Sequence, residues 1–340
     1  KLDILGHDDP TVLKFLMDRV AKNPDKYPFR TLKEIPLNDK NVYKYLQPDQ
    51  YGNVQAYGLP EFGTDFVREM LSDTFPKTFS DLVKVSGLSH GTDVWNNNAQ
   101  DLINGKLGTP VPFSDVIGCR DDIMTWLSSK GMTSKQSFDI MEFVRHGYGF
   151  KKPKEWPQYD KMMKDAKIPD WFRWSCERIQ YLFPKAHATA YVMSALRIAW
   201  FKAYDPIGFY ASYFTIRAAS INIETIVSGP TAIKLKIAEI KSNKEATDIE
   251  KDSIPVLEVA LECFSRGISI AKPDPNLSEA NEFVTDDTNA TLVASFSSID
   301  GLGEAAACKI VESRKQSPFT SLSDFAARSG ANKKKKKKMV

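Results

Sequence analysis

The sequence predicts a mainly helical protein, and three features support that prediction. Residues 181–202 (YLFPKAHATAYVMSALRIAWFK) form one long, mostly apolar stretch. Pro184 stands where a helix would open, and there its missing N–H costs no hydrogen bond. Amphipathic helical patterns recur over residues 134–145, 222–241 and 248–265. A glycine-bounded turn within residues 296–314 joins an apolar lead-in to an alanine-rich helix, a pattern typical of a helix-hairpin-helix.

Size and composition exclude several classes of protein. The chain has 340 residues, 26% of them charged, and no uninterrupted apolar run long enough to span a bilayer. We therefore expect no membrane segment. The cysteines lie far apart and form no C-x-x-C pair, which argues against disulfides and zinc and fits a reducing cytosol; they are Cys119, Cys176, Cys263 and Cys308.

The net charge carries little information about partners. It is +3, but residues 333–338 are six consecutive lysines, and without them 40 basic residues face 43 acidic ones. Any basic surface must therefore come from local clustering. The lysine run is expected to be a disordered tail with nonspecific attraction for nucleic acid. Because the chain begins at Lys1 inside a patterned segment, it is expected to be a piece of a longer protein.

The start of the long apolar helix is a candidate phosphate site. If the helix begins at about Ala186, its first turn combines free backbone N–H groups with the cationic Lys185 and with His187. Tyr191 follows one turn later on the same face as His187, where it could back a nucleotide base. The alternative is a buried core helix. Periodicity does not decide between them.

Polar residues after the predicted helix 78–87 form a second candidate. Ser80 is a plausible N-cap of that helix and Gly87 a plausible stop. The polar loop that follows carries Ser89, His90 and Asp93. These side chains could line a site or tie down a long loop.

Two single residues complete the candidates taken from the pattern alone. Asp3 interrupts an apolar, strand-like segment, so it is either an edge residue facing water or a carboxylate pointing into a site. Arg120 stands at a loop-to-helix junction before two acids that suit helix capping. It either forms a surface ion pair or points at an anion.

Gly301 and Gly303 bracket Leu302 at the hairpin between the two parts of residues 296–314. Two glycines allow a tight turn, and its backbone N–H groups, together with the next helix N-terminus, can hold a phosphate. This pattern indicates contact with the backbone of a DNA duplex.

Six motifs in this sequence resemble the alpha subunit of bacterial replicative DNA polymerase III, of the PolC type. They occur in the family's order and cover the chain up to about residue 330; they are KLDILGHDDPT (1–11), PEFGT (60–64), SGLSHGTDVW (86–95), IGCRDDIM (117–124), FPKAHATAYV (183–192) and IDGLG (299–303). The resemblance implies the fingers domain of a C-family DNA polymerase, with a short β remnant of the palm before it and a helix-hairpin-helix region after it.

The resemblance also implies a chemistry. In the family, three aspartates of a nucleotidyltransferase-like palm hold two Mg²⁺ ions, which activate the primer 3′-hydroxyl and neutralise the triphosphate of the incoming nucleotide. Asp3 matches the third aspartate as catalytic and metal-binding residue. The Asp-x-Asp pair that supplies the other two does not occur in this sequence. We therefore expect this chain not to polymerise DNA by itself.

The implied domains are the end of the palm with a connector (1–35), the fingers (36–275), a truncated helix-hairpin-helix region (276–330) and a disordered tail (331–340). The fingers would bind the incoming deoxynucleoside triphosphate and the templating base. The resemblance assigns triphosphate contact to Arg120, Lys185 and His187, and the backing of the new base pair to Tyr191. It assigns the loop lining the nascent pair to Ser89, His90 and Asp93.

The implied partners follow from the same family. Gly301 and Gly303 would grip primer-template DNA without reading its sequence. A sliding clamp and other replisome subunits would bind through the longer protein, in the cytoplasm of a bacterium. Two alternatives stay open: a noncatalytic, sequence-independent DNA-binding module that uses the hairpin and the lysine tail, and a purely structural fragment.

Overall fold

The computed structural model describes residues 7–218 and 221–329. They divide into two compact units, one of residues 37–196 and one that combines the residues up to 36 with those from 197 onward. The prediction of a mainly helical chain is confirmed for the described residues, which hold seventeen α-helices and one three-stranded sheet. The domain boundaries proposed from the resemblance stay a prediction.

In chain order the helices are α1 (Asp9–Lys22), α2 (Lys40–Tyr43), α3 (Asp65–Thr74), α4 (Phe79–His90), α5 (Gln100–Ile103), α6 (Arg120–Ser129), α7 (Ser134–Arg145), α8 (Tyr148–Lys151), α9 (Trp156–Asp165), α10 (Asp170–Arg178), α11 (Lys185–Tyr204), α12 (Pro206–Ile216), α13 (Ile223–Val227), α14 (Pro230–Ser242), α15 (Asp248–Ser265), α16 (Glu304–Gln316) and α17 (Leu322–Arg328). The strands are β1 (Ser269–Ala271), β2 (Val284–Asp286) and β3 (Thr291–Val293). The long apolar helix predicted to begin at about Ala186 is α11, which begins at Lys185.

The end of α4 corrects one prediction. Its N-cap is Thr78, whose side chain accepts a hydrogen bond from the backbone N–H of Asp81, so Ser80 is not the cap. Gly87 does not stop the helix, which continues to His90. The reason is a close approach, because a Cβ on Gly87 would lie only 2.5 Å from the backbone oxygen of Gly118. The glycine serves helix packing rather than termination.

Residues 222–241 form two helices where the pattern predicted one. The break falls at Gly229, which has a φ of +91°, and Pro230, which opens α14. Proline is tolerated in the first turn of a helix but not in its interior, so the two helices cannot merge.

The unit of residues 37–196 is held together by packed helices with aromatic side chains between them. Trp126 of α6 stacks on the fully buried Phe172 of α10, with ring centroids 4.3 Å apart. Phe143 of α7 packs against Tyr159 of α9 with ring centroids 4.1 Å apart and ring planes tilted by 32°.

The other unit packs α1 on α12 and carries the small sheet, in which β3 lies between β1 and β2. Strand β1 is parallel to β3, with Ile270 opposite Leu292, and β2 is antiparallel to it. An ionic cluster joins these elements. Arg19 donates to the buried Asp205 at 2.7 Å and to Asp287 at 2.6 Å.

A buried ion pair lies in the same unit. Lys202 is fully buried and its Nζ lies 2.7 Å from Oε2 of Glu262, whose side chain is 7% exposed. The hydroxyl of Tyr210 donates to the same carboxylate oxygen at 2.8 Å. The pKa of Tyr210 is raised far above its ordinary value, mainly because the hydroxyl is buried, so this hydroxyl stays protonated and can donate.

The C-terminal helices close on a small core of their own. Its buried members include Phe296, Leu302, Ile310 and Phe325. Before the glycine turn, the helical part is a single 3₁₀ turn (Phe296–Ser298) rather than a full α-helix. Among the residues that the structure describes, no helix is both long and apolar enough to cross a lipid bilayer.

Candidate nucleotide-binding site

Two helix N-termini meet in the unit of residues 37–196. The backbone N–H of Arg120, the first residue of α6, donates to the carbonyl oxygen of Phe183 at 3.1 Å. In return, Oδ2 of Asp121 accepts from the backbone N–H of Lys185, the first residue of α11, at 2.8 Å. The starts of α6 and α11 are thus fixed side by side, and Arg120 and Lys185 come to one place.

The charges at this junction leave cations available. Asp122 caps α6 by accepting from the backbone N–H of Gly118 at 2.9 Å, and its other oxygen is 4.0 Å from Nζ of Lys185. The Lys185 side chain is 50% exposed. Within residues 7–218 and 221–329, the Arg120 guanidinium makes no hydrogen bond or ion pair. Both cations can therefore meet an external anion.

A cluster of rings lies beside this junction. His187, one turn into α11, packs against Tyr191 with ring centroids 4.4 Å apart and against Phe183 at 5.0 Å. His90, the last residue of α4, reaches the same group, 5.5 Å from Phe183 and 6.2 Å from His187. The prediction that His187 and Tyr191 share one helix face agrees with this contact.

Ser89 and His90 lie on α4 and not on a loop, and their polar groups are turned back on the helix. The Ser89 hydroxyl donates to the carbonyl oxygen of Ser86 at 2.9 Å. Nδ1 of His90 lies 2.7 Å from that same oxygen, and its Nε2 lies 3.4 Å from Oε2 of Glu61. The ring of His90 is therefore held from both sides, and it presents its edge to the cluster.

Asp93 lies apart from this cluster. Its backbone has a φ of +54°, and its carboxylate accepts from the side-chain amide of Gln180. Thr92, next to Asp93, forms an isolated antiparallel β-bridge with Tyr181. The structure therefore brings Arg120, Lys185, His187, Tyr191 and His90 together and places Asp93 at a separate pocket.

The glycine hairpin before α16 has the conformation that the sequence predicts. Gly301 has a φ of +75°, which favours glycine, and Gly303 is the N-cap of α16 with extended backbone. A Cβ at either position would meet nothing within 4 Å. The turn therefore presents its bare backbone to solvent, as contact with phosphates requires.

Asp3 and the lysine run at 333–338 lie outside the described residues. Among the residues that are described, no group of three or more His, Cys, Asp or Glu side chains could hold a metal ion. Cys119, the N-cap of α6, is no nucleophile. The pKa of its thiol is raised to about 12, mainly because the thiol is buried.

Comparison with known proteins fits this geometry. Residues 9–167 match the model of the bacterial DNA polymerase III alpha subunit finger domain, and residues 267–340 match a helix-hairpin-helix motif. The PolC-type DNA polymerase III of Oceanobacillus iheyensis is 46% identical to the chain over 343 residues, and that of Bacillus subtilis is 45% identical. Each alignment covers 98% of this chain. Along nearly its whole length, this chain matches one segment of PolC-type DNA polymerase III.

The chain spans 23% of the length of these PolC-type relatives. The finger-domain match includes Arg120 and the end of α4. It stops before α11, so Lys185 and His187 are covered by the alignments with whole relatives and not by the finger model. The hairpin glycines fall within the helix-hairpin-helix match.

Glu61 is a residue of this candidate site that the pattern alone did not single out. Its side chain is 7% exposed, and Oε2 accepts from the hydroxyl of Ser86 at 2.9 Å while facing His90. Its backbone has a φ of +65°, uncommon for a residue other than glycine. The signal in the sequence is an acid inside a glycine-bounded loop, and only the fold shows that it reaches His90.

We expect Glu61→Gln to raise the KM for the incoming nucleotide about tenfold, equivalent to about 1.4 kcal/mol. Glutamine keeps the hydrogen bond from Ser86 but removes the charge that faces His90, so the ring loses its fixed orientation. Steady-state primer extension by a full-length PolC-type protein carrying this stretch measures the change. Glu69→Gln, at an exposed position of α3, is the control, and equal effects of the two variants would contradict a positioning role.

Proposed function

We propose that this chain is the nucleotide-binding and DNA-binding part of a DNA-templated DNA polymerase that replicates a bacterial chromosome. The intact enzyme would transfer deoxynucleotides to a primer 3′-hydroxyl in the cytoplasm. The convergence of the α6 and α11 N-termini, with Arg120 and Lys185 at the junction, carries the proposal. Partial positive charge from two helices and two cationic side chains meet where a polyphosphate would be bound.

The residues divide the work of nucleotide binding. Arg120 and Lys185 would pair with phosphate oxygens, and their charge would stabilise the negative charge that gathers as the bond to the leaving group breaks. His187 would add a donor beside them. Tyr191, one turn behind, would pack against the new base pair, and His90 would support His187 from the side.

Nucleotidyl transfer generally needs divalent metal ions, and the Mg²⁺ centre of the family uses three carboxylates. This chain supplies one of them, Asp3, and contains no Asp-x-Asp pair. One carboxylate does not hold two divalent ions, so the residues of this chain alone do not fit the metal centre. No catalytic step is assigned to it, and we expect the chain by itself not to extend a primer.

DNA binding rests on the hairpin. A helix-hairpin-helix motif holds the sugar-phosphate backbone through main-chain N–H groups, which suits primer-template DNA of any sequence. The remaining proposed partners, a sliding clamp and other replisome subunits, would bind through the longer protein. Ser89, His90 and Asp93 would lie along the nascent base pair only if the DNA follows α4 toward the pocket of Asp93.

Primer extension by a full-length protein that carries this stretch, compared before and after the charge reversal Lys185→Glu, tests the proposed function. The alternative is a noncatalytic, sequence-independent DNA-binding module. The open glycine hairpin supports this alternative, which can be tested by measuring duplex binding to the chain alone. In both cases the readout separates use of nucleotide from retention of duplex DNA.

We expect Gly301→Ala and Gly303→Val to weaken retention of duplex DNA by the chain about tenfold, because a side chain would stand between the backbone N–H groups and the phosphates. Both positions are open, so crowding within the fold is not the cause. Gly131→Ala is the matched control for Gly301→Ala, since Gly131 also has a positive φ, +88°, and open space. Fluorescence anisotropy with a labelled duplex measures the change. Unchanged retention in both hairpin variants would rule out the DNA-binding module.

A further inference from the structure

A pocket of about 600 Å³ lies in the unit of residues 37–196, and of the residues given a role in the proposed function only Asp93 lines it. We call it the amide pocket and define it by Asn96, Asn97, Phe150, Glu177, Arg178 and Gln180. The first two residues come from the turn after α4, Phe150 from α8, and the last three from the end of α10 and the segment after it. A cavity of this size suits a small ligand and is far too small for a duplex.

The wall of the amide pocket is fixed before any ligand arrives. Asn98 is buried, accepts from the hydroxyl of Ser175 at 2.6 Å, and donates to the carbonyl oxygen of Asp93 at 2.9 Å. This ties the turn to α10. On the other side, a Cβ on Gly149 would lie 2.8 Å from the backbone oxygen of Glu177, so α8 and α10 are in direct backbone contact. A pocket with fixed walls binds without paying to order them.

Several groups that face the amide pocket are without partners. Across the described ranges, the exposed side-chain amides of Asn96 and Asn97 make no hydrogen bond. The ring of Phe150 is 64% exposed and contacts no other ring in the same part of the chain. Asn98, the neighbour in the same run of three asparagines, is fully engaged. The contrast indicates that the first two asparagines and the phenylalanine serve a ligand rather than the fold.

The chemistry of these groups matches a nucleobase. Side-chain amides offer a donor and an acceptor in one plane, which pairs with the edge of a base, and an exposed aromatic ring offers a stacking surface. The guanidinium carbon of Arg178 lies over the ring of Trp174, 4.0 Å from its centroid.

Charge decides which part of a nucleotide enters. Asp93 lines the pocket and its carboxylate would repel a phosphate group; Glu177 also lines it and is ion-paired with Arg178 at 3.7 Å. Cationic groups lie at its edge: Arg178, and Lys154, which is exposed just after the rim residue Pro153 and has no partner among the described residues. A base would therefore sit inside, and its phosphates would stay at the rim.

We propose that the amide pocket holds one unpaired base of single-stranded DNA, stacked on Phe150 and bound at its edge by Asn96 and Asn97. Gln180 lines the pocket, and the next residue, Tyr181, packs on Phe183 of the ring cluster with centroids 5.2 Å apart. The unpaired base therefore lies beside the site of the incoming nucleotide. Assigning the strand to the template rests on the proposed function, whereas binding of an unpaired base does not.

Photocrosslinking tests the proposal on the chain as it exists. A single-stranded decamer containing one 5-iododeoxyuridine is irradiated with the chain, and the crosslinked residue is identified by mass spectrometry. We expect a crosslink at Phe150 with the single strand and none when the same strand is annealed to its complement, because its bases are then stacked. Crosslinks confined to residues 296–340, or an equal yield at Phe150 with the duplex, would overturn the proposal.

Variants make the test specific. Phe150→Ala should lower the affinity for the unlabelled decamer about tenfold, which corresponds to about 1.4 kcal/mol, when binding is measured at salt high enough to suppress nonspecific phosphate contacts. Asn96→Asp with Asn97→Asp should reduce the crosslink similarly, whereas Phe138→Ala and Asn104→Asp, at exposed positions elsewhere in the unit, should not. Equal effects of pocket and control variants would refute the assignment.

Two further experiments are needed. One distinguishes a base in a DNA strand from a free mononucleotide, and the other distinguishes the pocket proposal from the proposed triphosphate site. If free 5-iododeoxyuridine monophosphate crosslinks to Phe150 at the same concentration as the decamer, the ligand is a mononucleotide and the assignment to a strand is wrong. Lys185→Glu should leave the crosslink unchanged. If the crosslink persists in Lys185→Glu and nucleotide use is also unchanged, the proposed role of Lys185 in triphosphate binding is wrong. The assignment of the amide pocket would then still stand.

Discussion

Lys185→Glu is expected to lower kcat/KM for the incoming nucleotide on the order of 10²-fold in a full-length protein carrying this stretch. The side chain is half exposed at the start of α11, and its Nζ is 4.0 Å from the nearest oxygen of Asp122. It is therefore free to pair with a phosphate oxygen. Reversal places a carboxylate at that point, beside two aspartates, and converts attraction of the triphosphate into repulsion. Primer extension at varied nucleotide concentration measures the loss.

Duplex binding by the same variant should change little, because the glycine hairpin that would hold the duplex is a different part of the chain. Lys164→Glu, at an exposed position of α9, has the same effect on net charge and is the control for long-range electrostatics. If Lys185→Glu weakened duplex binding as much as nucleotide use, the assignment of Lys185 to the triphosphate would be wrong.

Lys202→Met is expected to destabilise the unit that contains α12 and α15 by about 3–5 kcal/mol. The substitution removes the only cation that is within 4 Å of the Glu262 carboxylate among the described residues, and leaves that carboxylate buried. Oε1 of Glu262 already has no hydrogen-bond partner there. An uncompensated buried charge is among the most costly changes that a core can undergo. Urea unfolding of the chain, followed by circular dichroism, measures the shift of the midpoint.

The double variant Lys202→Met with Glu262→Gln is the control for this prediction. Glutamine removes the charge and can still accept the hydrogen bond from Tyr210, so most of the lost stability should return. Equal destabilisation by the single and double variants would show that packing of the lysine stem, and not its charge, stabilises this core.

Local signals in the sequence placed those elements whose ends are set by nearby residues. Pro184 fixes the start of α11, and the bounds of α7 and α15 agree with their amphipathic patterns, because each has a threonine cap directly before it. The end of α4 was missed because the reason for continuing through Gly87 is the backbone of Gly118. That contact joins residues far apart in sequence, and no local pattern carries it.

In the candidate site, too, local sequence signals predicted some features and the tertiary fold determined the others. The sequence pattern predicted a cationic tip on α11 and left Arg120 open between a surface ion pair and contact with an anion, and the family resemblance favoured the anion. The link through Asp121, which caps α11 rather than its own helix, depends on the tertiary fold. Glu61 and the amide pocket were missed for the same reason, since their members come from separate loops and helices that only the folded chain brings together.

The discontinuous unit has a consequence for the order in which the chain folds during synthesis. The unit of residues 37–196 is one continuous segment, so all its contacts exist once residue 196 has left the ribosome. Arg19 is made earlier but must wait for Asp205 and Asp287, its partners in the ionic cluster. Until the ribosome reaches residue 287, α1 lacks its final environment, and its apolar face is open to chaperones. A ribosome pause between residues 37 and 287 would therefore lengthen this exposure, whereas a pause after residue 287 would not.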